Sequence, residues 1–120
     1  MYFTDSHEWI KVEDGLGTVG VTTYAKQELG EIVYLELPEI GRQVKAGEEV
    51  VILESTKAAA DIYAPVSGEI VAVNDAVRNA PDLLNQSPEE MGWLFKIRLS
   101  NSEELNALMN RTSYQRLVQS

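Results

Sequence analysis

A four-residue phrase occurs twice in this chain. Gly30-Glu31-Ile32-Val33 returns as Gly68-Glu69-Ile70-Val71. A longer echo follows in the same order. Gly47-Glu48-Glu49-Val50-Val51-Ile52-Leu53-Glu54-Ser55 is answered in pattern by Gly92-Trp93-Leu94-Phe95-Lys96-Ile97-Arg98-Leu99-Ser100. Gly-Glu-Ile is a common opening for a strand, so one match alone carries little weight. Two matches in the same order carry more. Each half reads strand, connection, glycine, strand, and the second half has the longer connection, Asn74 to Met91. Two repeats are too few to stack as a solenoid. They suit a pair of half-sandwiches related by a two-fold axis.

Between the halves lies the stretch that the repeat presents at one end. Val50 to Leu53 is a short β-branched apolar run and predicts a strand. Ala58 to Tyr63 predicts the returning strand, closed by Pro65, which cannot donate to a ladder. The tip is Ser55-Thr56-Lys57, followed by three alanines. Most lysines at exposed turns are only solvated charges. A lysine with small neighbours on a stiff turn is also accessible to another enzyme's active site, as a covalently attached cofactor requires. Glu54 and Asp61 flank the tip, and their simplest reading is as solvated hairpin polar groups.

Strands are predicted over His7 to Val12, Leu16 to Val21, Ile32 to Leu37, Glu69 to Val73 and Trp93 to Leu99. Asp14-Gly15 marks a hairpin turn. Thr22 or Thr23 is placed to cap a short helix ending at Leu29, with Gly30 as its stop. Val66-Ser67-Gly68 reads as a turn in which Gly68 supplies a positive φ. Pro81 opens a one-turn helix over Asp82 to Leu84, and Gln86 to Met91 is a loop. After Leu99 the period changes: Ser102 is expected to cap one helix and Thr112, with Gln115, a second. The prediction is one domain over residues 1–120, mainly β, with a β core over about 1–99 and short C-terminal helices over about 100–120.

Composition removes several kinds of chemistry. There is no cysteine, hence no disulfide, thiolate metal site or cysteine nucleophile. His7 is the only histidine, which excludes a two-histidine zinc site and leaves no convincing Ser-His-Asp set. No glycine loop matches a phosphate cradle. The net charge is -9 with scattered basic residues, so nucleic acid and anionic membranes are not expected partners. The N-terminus has no signal-peptide pattern, no apolar run is long enough to span a membrane, and a cytoplasmic location is expected, or the mitochondrial matrix for a processed eukaryotic chain. No self-contained enzyme emerges, which favours a carrier whose chemistry resides in its cofactor.

From Glu54 to Glu69 the chain strongly resembles the H protein of the glycine cleavage system. The likeness extends to Ser6-His7-Glu8-Trp9, Val19-Gly20-Val21-Thr22, Leu29 to Val33, Glu36-Leu37-Pro38, Ala46-Gly47-Glu48 and Gly92 to Ile97. The resemblance implies a lipoyl/biotinyl-type barrel-sandwich hybrid, with lipoic acid amide-linked to Lys57 by a lipoate ligase or octanoyltransferase. It implies transfer of an aminomethyl group from a pyridoxal-phosphate glycine decarboxylase to a tetrahydrofolate-dependent aminomethyltransferase, and reoxidation by a dihydrolipoyl dehydrogenase. It further implies a cleft for the loaded arm with Ser6, Glu8 and Asp61 at the matching positions; Glu8 and Asp61 are expected to lie close together beside it, and the chain is expected to be a monomer. The chain departs from the family pattern at Thr56, Ala60 and Glu89. A lipoyl storage or relay protein and a biotinyl carrier are the alternatives, the latter disfavoured by Thr56 and Ala58 where methionines are usual.

Overall fold

The computed structural model describes residues 1–119. Its strands are β1 (Tyr2–Phe3), β2 (Glu8–Glu13), β3 (Leu16–Val21), β4 (Ile32–Glu36), β5 (Gln43–Val44), β6 (Glu49–Ser55), β7 (Ala59–Tyr63), β8 (Gly68–Val73) and β9 (Phe95–Leu99). Its α-helices are α1 (Thr23–Leu29), α2 (Asp75–Asn79), α3 (Asp82–Gln86) and α4 (Arg111–Gln119), and Ser102–Ala107 forms a 3-10 helix. The strands make two antiparallel sheets. One has six strands in the order β1-β2-β3-β9-β8-β5, and the other has three, β4-β6-β7.

Alternation along the strands decides what lies between the sheets. On β6, Val51 and Leu53 are buried while Ile52 and Glu54 face water. They meet Ile10, Val19, Val21, Leu35, Ile62, Ile70, Phe95 and Ile97 in one apolar core. Burying each such side chain contributes ~1.5–3 kcal/mol relative to leaving it exposed.

The sequence repeat becomes a structural one. Its first half supplies the β4–β6 pair and its second the β8–β9 pair. Each pair carries an irregularity at the same repeat position, between Ile32 and Tyr34 in one and between Ile70 and Ala72 in the other. The register is not copied: Ile32 faces Ser55, whereas its counterpart Ile70 faces Ile97.

Gly68 departs from the expected turn. It lies inside β8, paired with Val44 and Leu99, and is not among the positive-φ residues. Glycine is needed there because a Cβ would stand 2.0 Å from the carbonyl oxygen of Arg98. Gly30 is the left-handed one, at φ 87, where it stops α1 by donating to the carbonyl of Lys26.

Helix starts differ slightly from the sequence reading. Thr22 caps α1, its hydroxyl accepting from the N–H of Ala25 at 3.2 Å. Asn101, not Ser102, caps the 3-10 helix, and Asn110, not Thr112, accepts from the N–H of Ser113 at the start of α4. Helix α2 was not expected within the long connection. Its neighbour α3 places Asn85 against the open edge of β4. The Asn85 amide accepts from the Ile32 N–H at 2.9 Å and donates to the Ile32 carbonyl at 3.0 Å. A second, aromatic cluster of Phe3, Trp9 and Tyr114 docks α4 near β1, where Phe3 and Met109 exchange backbone hydrogen bonds.

Candidate functional site

Lys57 sits at the β6–β7 turn, and one serine organises that turn. The backbone N–H of Ser55 donates to the carbonyl of Ala58 at 2.8 Å. Its hydroxyl oxygen accepts from the N–H groups of Lys57 and Ala58 at 3.1 and 3.0 Å. A hydroxyl that satisfies turn donors in this way replaces water and stiffens the loop. The tip is also tied down laterally, because the N–H of Thr56 donates to the carbonyl of Glu31 at 3.0 Å.

Lys57 is exposed and has no carboxylate partner among the described residues. Its stem does not stand straight into solvent. It lies along Gly30, so closely that a Cβ there would be 3.1 Å from Cε, 3.6 Å from Cδ and 3.7 Å from Nζ. Glu54 points outward from β6, between Tyr34 and Ala59 on the neighbouring strands. Asp61 is exposed on β7 opposite Ile52 and lines a groove with Glu36, Glu39, Arg42 and Glu49.

Ser6 and Glu8 are brought together elsewhere, in a cleft of about 590 Å³. Tyr63 and Pro65 form one wall, Leu108 and Met109 another. Glu8 is only 1% exposed. Its Oε1 accepts from the hydroxyls of Ser6 at 2.6 Å and Thr4 at 2.5 Å, and its Oε2 accepts from the N–H of Tyr63 at 3.2 Å. The Thr4 hydroxyl in turn accepts from the N–H of Glu8 at 3.0 Å. Every donor is neutral, and among the described residues Glu8 has no lysine or arginine partner. A carboxylate taken this far out of water is tolerated only with such hydrogen bonds. A cation entering the cleft would strengthen the set.

The expected proximity of Glu8 and Asp61 takes a different form. Asp61 is not in the cleft wall and makes no hydrogen bond with Glu8. It lies on β7 between the lysine end and Tyr63, the residue whose backbone Glu8 touches. From Ala59 to Tyr63 is four residue steps, roughly 13 Å of strand. Thr4 was missed in the sequence, although its position four residues before a carboxylate that opens a strand is the signal.

Behind the cleft, His7 holds a positive φ of 74, and its Nδ1 is 2.8 Å from the hydroxyl of Tyr114. That hydroxyl is also 2.7 Å from Thr22 Oγ1, so the C-terminal helix is latched to the α1 cap. Burial, chiefly, pushes the Tyr114 phenol above its ordinary value. Glu89 accepts from the N–H of Thr23 at 2.9 Å and pairs with Arg111 at 3.1 Å.

Comparison with known proteins agrees with this geometry. The profile of the family described as Glycine cleavage H-protein matches residues 1–120. A Glycine cleavage system H protein of Thermotoga maritima is 50% identical over 94% of this chain and 91% of its own length. One from Alcanivorax borkumensis is 50% identical over 98% of this chain and 92% of its own. A crystal structure of a glycine cleavage system H protein from Mycobacterium marinum superposes with a TM-score of 0.92 at 34% identity, covering 99% of this chain and 96% of that one. The two sheets are thus those of the lipoyl-type barrel-sandwich fold.

Proposed function

The chain belongs to the glycine cleavage H-protein family, and from that premise we propose that it is a lipoyl carrier with lipoic acid in amide linkage to Nζ of Lys57. The observation that carries the reading is the stapled tip: an exposed lysine, free of ion pairs among the described residues, on a turn fixed by Ser55 and by the Thr56–Glu31 bond. When bound, lipoic acid would supply a disulfide ring able to take up an aminomethyl group from the decarboxylation of glycine and to yield its methylene carbon to tetrahydrofolate, the nitrogen leaving as ammonia. The chain's own residues do the remaining work. The small side chains of Ala58, Ala59 and Ala60 leave room beside Lys57 for the active sites of visiting enzymes. Those enzymes are the pyridoxal-phosphate decarboxylase, the aminomethyltransferase and the dihydrolipoyl dehydrogenase. The carrier moves between them in the cytoplasm as a monomer and performs no catalysis of its own.

Between visits, Glu8 offers an anionic acceptor for the ammonium of the carried group, and Ser6 and Thr4 hold that carboxylate in place. The cleft wall of Leu108 and Met109 limits access of water. Asp61, exposed midway along β7, is passed on the way to the cleft.

The test is direct. Incubated with a lipoate ligase, ATP and lipoate, the protein gains one adduct, which peptide mass mapping assigns to Lys57. Lys57→Arg keeps the charge and the fold but takes none. An adduct on Lys26 or Lys45 with Lys57 bare would sink the assignment.

A further inference from the structure

Gly30 ends α1 at φ 87 and ψ -157, a conformation that is essentially restricted to glycine. Stopping a helix would be reason enough for that residue. The structure shows a second circumstance that a helix stop does not require. The missing side chain leaves a seat, and the stem of Lys57 occupies it, with Cε, Cδ and Nζ at 3.1, 3.6 and 3.7 Å from where a Cβ would be. The next residue, Glu31, binds the hairpin tip through its carbonyl and the N–H of Thr56. Seat and tether therefore belong to one corner, the α1–β4 junction, and both act on the same turn.

A lysine stem is four flexible carbons long, and an unsupported ammonium sweeps a wide volume. Aliphatic stems lie readily along apolar surface while their heads stay in water. Ser55 and Thr56 fix the backbone of the tip but leave the direction of Nζ open. Gly30 supplies what they do not.

We propose that Gly30 is a positioning residue for the acylation of Lys57: its bare α-carbon seats the lysine stem and sets the direction in which Nζ meets the acyl donor. The proposal rests on the carrier reading above. In the reaction it serves, Nζ attacks the carbonyl of an acyl-adenylate. The new C–N amide bond forms as the acyl–phosphate C–O bond breaks, AMP departs, and the ammonium has given up two protons. No redox change occurs.

Gly30→Ala puts a methyl group into the seat and forces the stem away. It also strains the backbone, so a control must carry the strain without the collision. Gly15 provides one, since it lies at φ 76 with nothing within 4 Å of an added Cβ. Both variants and the parent are given ligase, ATP and lipoate, and kcat and KM are read from the adduct on Lys57. Thermal unfolding and the amide resonances of Ser55 and Ala58 report the fold and the turn. Gly30→Ala is expected to lower kcat at least about tenfold, as misdirected reactants do, with KM little changed. Gly15→Ala is acylated at the parent rate. Uncatalysed acetylation of Lys57 by a small activated ester is undiminished in Gly30→Ala, because the amine itself is intact.

Equal kcat in Gly30→Ala and parent would overturn the proposal, as would an equal loss in Gly15→Ala or a parallel loss toward the small ester. A second measurement needs no variant: the unmodified parent shows nuclear Overhauser contacts between the Lys57 ε-protons and the Gly30 α-protons, and their absence would overturn the seat. No adduct on Lys57 of the parent would sink the carrier reading itself, an outcome distinct from equal rates in parent and variant.

Discussion

Glu8 and Asp61 are two carboxylates on strands of different sheets, β2 and β7, with opposite circumstances. Glu8 is out of water with three neutral donors on it, and Asp61 stands in solvent. A charge-assisted hydrogen bond in such a setting contributes about 1.5–3 kcal/mol. Glu8→Gln is therefore expected to shorten the lifetime of the loaded carrier by roughly tenfold. Asp61→Asn, in water, should change it far less. The measurement is the rate of formaldehyde and ammonia release from equally loaded proteins. Glu8→Gln losing the group at the parental rate would mean that the charge of Glu8 plays no part in retention. The sequence suggested that these two residues lie close together, but they share no hydrogen bond and Asp61 is not in the cleft wall. Strand alternation says which face a residue takes, but not which neighbouring edge reaches it, and Glu8 reaches β7 through the backbone of Tyr63 rather than through Asp61.

At the scale of elements, the C-terminal helix is held by a chain of contacts that begins at α1. Arg111 stacks its guanidinium over Phe3 and pairs with Glu89, and Glu89 receives the free N–H of Thr23 in the first turn of α1. Burial of Glu89 opposes its charge, but the N–H of Thr23 and the guanidinium of Arg111 outweigh it and hold the carboxyl below the usual range. A depressed carboxyl contributes stability above its unfolded value of about 4.3, and that contribution is lost as pH falls through the folded value. Glu89→Gln should thus melt below the parent at neutral pH, with the gap closing under acid of about pH 4 and less. A gap independent of pH would remove the ionic explanation. The elements themselves were largely legible, since β-branched runs and the Thr22 cap announce them. Their starts near the C-terminus were not: the asparagine side chains at 101 and 110 take the orphan N–H groups of Glu103 and Ser113, and local pattern does not rank them above Ser102 and Thr112.

For the molecule as a whole, the repeat foretold two strand pairs facing each other but misjudged one of its glycines. Gly30 and Gly68 occupy the same place in the repeat and serve different ends, one a backbone conformation and the other a close approach. Gly68→Ala should therefore destabilise the domain through collision with the Arg98 backbone, by about 3 kcal/mol or more, the upper range for overpacking. Urea denaturation would show the midpoint shift, and an unmoved midpoint would mean that β8 and β9 separate there easily. Sequence similarity between halves reports shared strand patterns; it does not report which backbone comes nearest to which.

Asn85 also acts on this scale. By engaging both the N–H and the carbonyl of Ile32, its amide imitates the next strand that β4 otherwise lacks. An open strand edge is a template on which another chain can add itself. Near this one stand Val33 and Tyr34, half in water and attractive to such an addition. A carrier that meets several enzymes briefly, as proposed for this chain, has to remain dispersed when crowded. One amide side chain, spent on a single residue of the edge, denies self-polymerisation its first rung while leaving the lysine corner of the same sheet free for traffic.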